Sequence, residues 1–465
     1  MLRRVLQQRS LVHLRRQYHR PAQLLRDLTD RGFIQDSTSP DVLQKYVDTP
    51  GRVLTAYAGV DPTAKALHIG HLIPLLALLH FRIRGHNIIP LIGGATGRVG
   101  DPSGRKIERE LAKTEQVEEN ARSLTNSITQ FFERGLAYAN SRMETVQQAH
   151  SGIRITNNLE WHDGFSLLGF LQEVGSYARV NTMLNRESVQ ARLEAKQGLS
   201  FTEFTYQLLQ AYDFHYLYKH HECSIQIGGS DQWGNIVAGL ELIGKLNAQQ
   251  GLSEAFGITT PLLTTASGEK FGKSAGNAIW LDSNMTSVFD FYQYFLKVAD
   301  ADVKKYLKLF TLMSSEEVED LVAKHENEPE KRLAQYRLAA EVTEMVHLED
   351  GVRCAVTKSK LLFDADYSNL KAQDVLLAFE DDPRMVQIPM EEALDVPIIK
   401  LSAKYSLVAT NGAAKNLVAS KGLYLNNVPV ASPQSKVEAS DLIDGRVAII
   451  RAGKDKLLVL VAGHS

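Results

Sequence analysis

Residues 53–71 have the sequence VLTAYAGVDPTAKALHIGH, in which an apolar run leads into a loop and then into the start of a helical pattern. The apolar run predicts a strand over 53–58, and similar runs predict strands over 87–92 and 223–227. Each run is followed by a loop rich in Gly or Asp and then by a helix, which is typical of a parallel α/β sheet. Because such loops meet at the carboxyl ends of parallel strands, we expect them to form one ligand-binding crevice.

The length of 465 residues exceeds what one hydrophobic core usually supports, so the sequence predicts more than one domain. We expect an α/β domain over 27–284 and a helical, acidic domain over 285–380, in which Ser314 is a predicted N-cap. A proline-containing linker over 381–395 then leads to a small basic module over 396–465. That module has nine Lys or Arg against four acidic residues.

The first 26 residues contain seven Arg and no Lys, Asp or Glu, with apolar residues between them. This composition predicts a mitochondrial import leader over 1–26. A basic RNA-binding arm is the alternative, because it has a similar composition. The formal net charge is −2 and becomes −9 without these seven Arg, so we expect any contact with nucleic acid to come from local basic patches.

The sequence also excludes some classes of protein. Cys223 and Cys354 are its two cysteines, which argues against a disulfide framework and against a zinc site with four thiolates. No apolar run reaches the roughly 18 residues that a membrane span needs, so we expect no membrane segment.

The first candidate constellation contains His68 and His71, which are three residues apart at a predicted helix start. At that spacing both side chains project from one face, and Gly70 between them lets a flat ligand approach the backbone. Amides at such a helix start also suit phosphate groups. The alternatives are two histidines on a helix surface or a metal pair, and no third ligand accompanies them to favour a metal.

The second candidate constellation is the segment Lys270-Phe271-Gly272-Lys273-Ser274. Two lysines on a loop bounded by glycines can close over a triphosphate and neutralise the charge that develops as pyrophosphate leaves. By itself such a segment is more often a solvated turn.

A third pattern lies in the predicted helix 201–214, where Tyr206, Gln210 and Asp213 form one stripe. A stripe of this kind is ordinarily apolar, so its three hydrogen-bonding side chains favour contact with a ligand. A solvent-exposed polar face is the alternative. An aromatic ligand with an amine, a carboxylate and a phenol would need such a pocket.

The His-Ile-Gly-His and Lys-Phe-Gly-Lys-Ser motifs together resemble the paired signatures of the class I aminoacyl-tRNA synthetases. Further motifs resemble the tyrosine-specific branch of that family, in the same order and from about Leu24 to the C-terminus. These motifs are Tyr57 to Thr63, Gly93 to Gly97, Gly100 to Gly104, Ser200 to Phe204 and Gly228 to Asn235. The resemblance implies an α/β protein with a Rossmann-type parallel-sheet catalytic domain, an α-helical domain and a small α+β S4-like RNA-binding domain.

The resemblance also implies roles for individual residues. The residues implied to hydrogen-bond the phenol of tyrosine are Tyr57 and Asp213, and those implied to hold its ammonium group are Asp101, Tyr206 and Gln210. The residues implied to contact the adenylate, chiefly its ribose and the amino-acid carbonyl, are Gly59, Asp61, Gly229, Asp231 and Gln232. The residues implied to stabilise the transferring phosphate are Thr63, His68, His71, Lys270 and Lys273. The remaining implied ATP-binding residues are Gly70, Phe271, Gly272 and Ser274.

Some positions match the family without an equally clear role, and two depart from it. Asn158 and Trp161 match its Asn-Asn-x-x-Trp stretch, and Arg105 and Arg109 lie on a basic loop that is implied to assist catalysis. Ala58 stands where many relatives have a cysteine beside the ribose, so one weak contact is missing. Arg105 replaces a lysine of bacterial relatives, which keeps the charge and changes its geometry.

The implied substrates are L-tyrosine, tRNA(Tyr) and ATP with Mg²⁺, without a tightly bound metal of the protein's own. The implied assembly is a homodimer, and the leader adds the mitochondrial matrix as the expected location. A phenylalanine in the pocket would leave the polar groups of Tyr57 and Asp213 unpaired, so no editing domain is expected.

The C-terminal segment resembles an S4-like RNA-binding module, with a predicted helix over 412–418 and a turn leading to a strand over 422–430. Its basic residues are expected to bind RNA phosphates, with an affinity that falls as salt rises. They are Lys400, Lys404, Lys415, Lys421, Arg451, Lys454 and Lys456. The helical domain is implied to approach the anticodon arm.

Three other functions remain in view. A tryptophan-specific synthetase shares the fold and signatures, but its substrate has no phenol oxygen for Tyr57 and Asp213. A cytidylyltransferase-like enzyme uses similar histidine loops but would leave the helical and basic segments without a task. An RNA-binding scaffold derived from a synthetase would not need the histidines and lysines of both signatures.

Overall fold

The computed structural model divides the described chain into two compact units. The described residues are 24–104, 113–143, 152–194, 198–247, 254–263, 278–363, 367 and 369–463. The first unit contains the described residues up to Ser287 and Tyr294–Val346, and the second contains Val288–Gln293 and those from His347 onward.

The first unit is built on a six-stranded sheet of order β1-β6-β5-β2-β3-β4. Its strands are β1 Asp36–Ser37, β2 Thr55–Val60, β3 Asn87–Ile92, β4 Thr156–Asn157, β5 Ile225–Gly229 and β6 Phe256–Thr260. All neighbouring strands are parallel except β1, which pairs antiparallel with β6. The predicted parallel α/β fold is therefore confirmed.

The strand predicted over 87–92 is found at those residues, whereas β2 and β5 lie two residues further along the chain than predicted. The reason is that pairing continues through glycines that the sequence pattern assigns to loops. Gly59 is opposite Leu91 of β3, and Gly228 is opposite Thr259 of β6. Near their carboxyl ends, β2 and β5 therefore contain glycines, which leave the backbone uncovered by a side chain.

Helices of the first unit cover the sheet and form the helical part that follows it. They are Leu24–Arg31, Pro40–Val47, Ile69–Arg82, Thr96–Val99, Thr114–Asn140, Leu159–His162, Leu167–Glu173, Val180–Leu184, Glu187–Glu194, Phe201–His221, Trp233–Leu246, Asp300–Phe310 and Ser315–Asn327. Ser314 caps the last of these, because its hydroxyl accepts from the Glu317 N–H at 3.1 Å. This confirms the predicted N-cap.

The helix Ile69–Arg82 is apolar on nearly every side and buries most of its residues, which is typical of a helix enclosed by its surroundings. The helix Phe201–His221 packs Phe214 and Leu217 into a cluster with Tyr57, Leu91 and Trp161. The core thus fixes the helix Phe201–His221 against β2 and β3.

Two helices, Val288–Leu296 and Leu333–Phe363, contribute residues to both units. The second of them contains Leu348, whose φ of 64° and ψ of 179° are not helical. No helix among the described residues combines the length and the hydropathy needed to cross a bilayer.

The second unit contains a five-stranded sheet of order β7-β11-β10-β8-β9. Its strands are β7 Met385–Pro389, β8 Leu423–Leu425, β9 Val428–Pro429, β10 Val447–Ala452 and β11 Lys456–Gly463. Its further helices are Ala372–Ala378, Met390–Asp395, Ile398–Lys404 and Asn411–Ala419.

Two details of the second unit differ from the sequence prediction. Residues 381–395, predicted as a linker, include β7, which pairs in parallel with β11 and so belongs to the sheet. The turn predicted before a strand over 422–430 is instead a hairpin of β8 and β9. Asn426 and Asn427 connect these strands with φ values of 47° and 67°, which asparagine tolerates better than most residues.

Candidate active site

A cavity of about 380 Å³ lies at the carboxyl ends of β2 and β5. All of the predicted site residues that the structure describes line this cavity. They are Tyr57, Gly59, Asp61, Thr63, His68, Gly70, His71, Asp101, Tyr206, Gln210, Asp213, Gly229, Asp231 and Gln232. The structure thus brings together residues that are up to 175 positions apart in the sequence.

The remaining predicted site residues lie outside the described residues. They are Lys270, Phe271, Gly272, Lys273 and Ser274, together with Arg105 and Arg109. On either side of the lysine motif, the nearest described residues that line the cavity are Leu263 and Trp280.

The two signature histidines form a stacked pair, with ring centroids 3.9 Å apart. Nδ1 of His68 accepts from the Gly70 N–H at 3.1 Å, and Nδ1 of His71 accepts from the His68 N–H at 3.2 Å. Both contacts cap the start of the helix Ile69–Arg82. Because Nδ1 is an acceptor in each ring, the proton of a neutral imidazole lies on Nε2.

Burial, together with the neighbouring His68, holds the pKa of His71 well below its usual range. His71 is therefore a neutral hydrogen-bond donor rather than a cation at neutral pH. The sequence predicts that glycine at position 70 lets a flat ligand approach the backbone. The structure adds a local reason for glycine, because a Cβ there would lie 2.8 Å from Cε1 of His68. A side chain at this position would displace the His68 ring from its capping position.

The carboxylate of Asp213 is buried and accepts three hydrogen bonds from one short segment. Oδ2 accepts from Nδ2 of Asn158 at 3.0 Å. Oδ1 accepts from Nε1 of Trp161 at 2.8 Å and lies 2.8 Å from Nε2 of His162. These N–H groups compensate the desolvation of a charge that is only 2% exposed.

The hydroxyl of Tyr57, unlike the carboxylate of Asp213, has no hydrogen bond among the described residues to compensate for its burial. Burial, and then the negative charge of Asp213, raise the pKa of Tyr57 well above its usual value, so it is a neutral donor. A buried donor without an acceptor costs about 1–3 kcal/mol, which a ligand oxygen would recover.

A second carboxylate, Asp61, follows β2 and joins two other elements. Its Oδ2 accepts from the Tyr206 hydroxyl at 2.8 Å and its Oδ1 from the Thr96 hydroxyl at 2.7 Å. Nδ2 of Asn158 also donates to Oγ1 of Thr96 at 3.0 Å. Asn158 therefore links the surroundings of Asp61 to those of Asp213.

A third carboxylate, Asp101, belongs to a separate network. Its Oδ1 accepts from the Ser103 N–H at 2.8 Å and its Oδ2 from Nε2 of Gln232 at 2.7 Å. Nδ2 of Asn235 lies 3.0 Å from Oε1 of Gln210 and 3.2 Å from Oε1 of Gln232. The side chain of Asn235 thus holds two predicted ligand-binding amides in place.

The described lining of the cavity is acidic. It includes the carboxylates of Asp61, Asp101, Asp213 and Asp231, and no Lys or Arg is found among these described lining residues. Such a site suits an ammonium group. A polyphosphate would need positive charge from a metal ion or from lysines elsewhere in the chain, in addition to the N–H groups at the helix start.

Six residues of these networks received no individual role from the sequence, and two of them, Asn158 and Trp161, were only matched to the Asn-Asn-x-x-Trp stretch. Thr96, Ser103 and Asn235 lie within the motifs recognised there, but their hydrogen bonds run to residues distant in the sequence. His162 lies in no recognised motif. Its one available signal is its position just after Trp161, in the segment that follows β4.

Comparison with known proteins gives consistent results. The family model described as tRNA synthetases class I (W and Y) matches residues 49–364. The tyrosine–tRNA ligase 1 of Bacillus licheniformis is 40% identical over 437 residues, covering 94% of this chain and 99% of that protein. The mitochondrial tyrosine–tRNA ligase of Saccharomyces cerevisiae is 40% identical over 445 residues, covering 94% of this chain and 88% of that protein.

Two solved structures of fungal mitochondrial enzymes are also similar to this chain. A C-terminally truncated mitochondrial tyrosyl-tRNA synthetase of Aspergillus nidulans superposes with a TM-score of 0.66 at 34% identity, covering 73% of this chain and 94% of that one. The corresponding truncated enzyme of Coccidioides posadasii gives a TM-score of 0.65 at 33% identity, covering 77% of this chain and 98% of that one.

Proposed function

Because the chain belongs to the tyrosine–tRNA ligases among the class I tRNA synthetases, we propose that its cavity joins tyrosine to ATP and then passes tyrosine to tRNA. The first step forms enzyme-bound tyrosyl-adenylate and releases pyrophosphate. In the second step the terminal ribose of tRNA(Tyr) attacks the adenylate. The observation that carries this assignment is the unpartnered, buried hydroxyl of Tyr57, on which the charge of Asp213 acts.

A phenol can hydrogen-bond both the hydroxyl of Tyr57 and the carboxylate of Asp213. An ionised carboxylate has about four acceptor positions, and three of those of Asp213 are occupied. The phenol hydroxyl donates to the remaining position on Oδ2, and the hydroxyl of Tyr57 donates to the phenol oxygen. Phenylalanine leaves both unpaired, and the indole N–H of tryptophan has no oxygen to accept from Tyr57.

The ammonium group of tyrosine is held by the other two networks. The Asp101 carboxylate supplies negative charge, and Tyr206 and Gln210 supply oxygen acceptors on the same stripe of the helix Phe201–His221. The hydrogen bonds of Tyr206 to Asp61 and of Asn235 to Gln210 keep these oxygens in place. Their positions therefore do not depend on the ligand.

ATP binds along the bare strand ends and the helix start. Gly59 and Gly229 let the nucleotide approach the backbone, with Asp231 beside Gly229 contacting its ribose. Thr63, and Nε2 of His68 and of His71, stabilise the phosphate being transferred. Because the described lining is acidic, Mg²⁺ accompanies ATP and Lys270 and Lys273 neutralise the charge of the departing pyrophosphate.

RNA binding is assigned to basic residues of the second unit. Lys400 and Lys404 lie on the helix Ile398–Lys404, and Lys415 lies on the helix Asn411–Ala419. These side chains bind RNA phosphates, and the affinity they contribute falls as the salt concentration rises.

We also propose that the chain is a homodimer. The helix Leu167–Glu173 buries none of its residues, and Leu167 and Leu168 are more than 70% exposed. Val180 and Leu184 of the next helix are also exposed. A second copy would cover this apolar surface, which is otherwise costly in water.

The proposed location is the mitochondrial matrix. It is supported by the Arg-rich, acid-free composition of the first 26 residues and by the similarity to mitochondrial fungal enzymes. Fusion of residues 1–26 to a fluorescent protein should direct it to mitochondria, and a fusion that stays in the cytosol would contradict this location.

Exchange of labelled pyrophosphate into ATP, measured with each amino acid in turn, tests the proposed activity. Tyrosine alone should support strong exchange, and both Asp213→Ala and Lys273→Ala should reduce it greatly. Equal exchange with tryptophan would overturn the assignment.

A further inference from the structure

We propose that His162 is a positioning residue for recognition of the substrate phenol, because it occupies the last acceptor position on Oδ1 of Asp213. This inference rests on the proposed function, in which Asp213 binds the phenol of tyrosine. It assigns a specificity role to a residue outside the motifs of the site.

The geometry places His162 among the supports of Asp213. Its Nε2 lies 2.8 Å from Oδ1 of Asp213, and its side chain is 7% exposed. The ring packs against Tyr212, with centroids 5.7 Å apart. The backbone N–H of His162 donates to the Asn158 carbonyl at 3.1 Å, which ties it to the turn that carries the other two donors.

The distribution of donors over the two oxygens gives the reason for the role. Among the described residues, Oδ1 accepts from Trp161 and His162, whereas Oδ2 accepts from Asn158 alone. With about two acceptor positions on each oxygen, Oδ1 is saturated and Oδ2 keeps one position. His162 thus directs the single vacant acceptor of the buried carboxylate to one oxygen.

The preference for tyrosine over phenylalanine follows from the free-energy penalty for leaving the vacant acceptor position on Oδ2 of Asp213 empty. Without His162, Oδ1 would also have a vacant position, and the carboxylate could turn or accept from a trapped water when phenylalanine is bound. The penalty against phenylalanine would then shrink. With tyrosine bound, a less constrained carboxylate would lose part of its preorganised hydrogen bond.

The test compares kcat/KM for tyrosine and phenylalanine in pyrophosphate exchange with the full-length chain. His162→Phe, which keeps a ring without a donor, should raise the KM for tyrosine and lower the tyrosine-to-phenylalanine ratio about tenfold. The KM for ATP should stay the same. His162→Gln, whose Nε2 can reach the same oxygen, should restore the ratio to within about threefold of the unmodified chain.

A matched control is His325→Phe. The His325 side chain is 3% exposed and its Nε2 lies 2.9 Å from a carboxylate oxygen of Asp300, but Asp300, unlike Asp213, does not line the cavity. This variant should leave the ratio unchanged even if it lowers stability. If His162→Phe fails to fold, His162→Leu removes the donor with less demand on space and should give the same fall in ratio.

The outcomes separate this inference from the proposed function. If Asp213→Asn lowers the ratio but neither donor-free His162 variant does, the role of His162 is wrong and the phenol site stands. If Asp213→Asn leaves the ratio unchanged, the proposed phenol site itself is wrong. Equal losses with tyrosine and phenylalanine, not restored by Gln, would reduce His162 to a structural residue and overturn the inference.

Discussion

The hydroxyl of Tyr206 donates to Oδ2 of Asp61 at 2.8 Å, although 145 residues separate them in the sequence. This bond joins the helix Phe201–His221 to the loop after β2, so that a residue proposed to bind tyrosine and one proposed to bind ATP hold each other in place. Burial, followed by the charge of Asp61, raises the pKa of Tyr206 well above its usual value, which keeps the hydroxyl a donor.

Tyr206→Phe should therefore raise the KM values for tyrosine and for ATP, each by about tenfold, because it removes a charge-assisted hydrogen bond. Initial rates of pyrophosphate exchange would measure both constants. Tyr212→Phe is the matched control, since among the described residues its hydroxyl makes only a long contact of 3.5 Å to Glu173. A Tyr206→Phe enzyme with unchanged KM values would contradict the proposed linkage.

Tyr57→Phe should stabilise the ligand-free protein by about 1 kcal/mol, because it removes a buried hydroxyl that has no described partner. The same change should reduce the preference for tyrosine over phenylalanine. Urea unfolding and pyrophosphate exchange measure the two effects. Tyr138→Phe is the contrast, because the Tyr138 hydroxyl donates to Glu341 at 2.5 Å and its removal should destabilise the fold. Loss of stability in Tyr57→Phe would imply a partner for its hydroxyl.

Glu341→Ala should destabilise the first unit by about 3–5 kcal/mol, because Glu341 is buried between two arginines. Burial by itself raises the pKa of Glu341, but Arg337 and Arg142 outweigh it and hold the value at about 2. The stabilisation is therefore present above the usual glutamate pKa and is lost as the pH falls towards 2. Urea unfolding at pH 7 measures the change.

Glu319→Ala is the matched surface control for Glu341→Ala. Glu319 is half exposed and pairs with Lys304 and Lys308. Its removal should cost less than about 1 kcal/mol, because water screens exposed ion pairs. Equal losses from both variants would contradict the importance of the buried cluster.

His86 should make stability depend on pH below neutrality. Burial, and then Arg84, lower its pKa to about 4, so the unfolded chain binds a proton that the folded chain excludes. The free energy of unfolding should consequently fall as the pH drops from about 6.5 to 4, by up to about 1.4 kcal/mol per pH unit from this group.

His86→Asn should reduce that pH dependence. The asparagine oxygen can replace Nδ1 as acceptor from the Leu54 N–H, a bond of 3.3 Å, but asparagine does not titrate. Urea unfolding at pH 7, 6, 5 and 4 would compare the two proteins. Parallel pH profiles would show that His86 is not responsible.

Leu168→Glu should convert the proposed dimer into a monomer, because it places a charge in the exposed apolar surface that a second copy would cover. Sedimentation velocity at several concentrations measures the change. Val42→Glu, at another exposed apolar residue, should not affect assembly. A wild-type chain that sediments as a monomer throughout would contradict the dimer.

The sequence predicted several elements because their signals are local. The strand Asn87–Ile92 and the cap at Ser314 depend on neighbouring residues and were found as predicted. The strand at Met385–Pro389 was missed, because its partner β11 lies about 70 residues further along the chain and a short proline-bounded run resembles a linker.

The sequence by itself therefore determined a parallel sheet, a set of polar residues at its strand ends and the family to which the chain belongs, since periodicity and motifs are properties of contiguous residues. The tertiary structure decided which of those groups are satisfied. Asp213 obtains its three donors from residues 51 to 55 positions away, while Tyr57 obtains none among the described residues. Hydrogen bonds between separate elements have no periodic signal along the chain, so only the folded packing of the sheet and its helices reveals them.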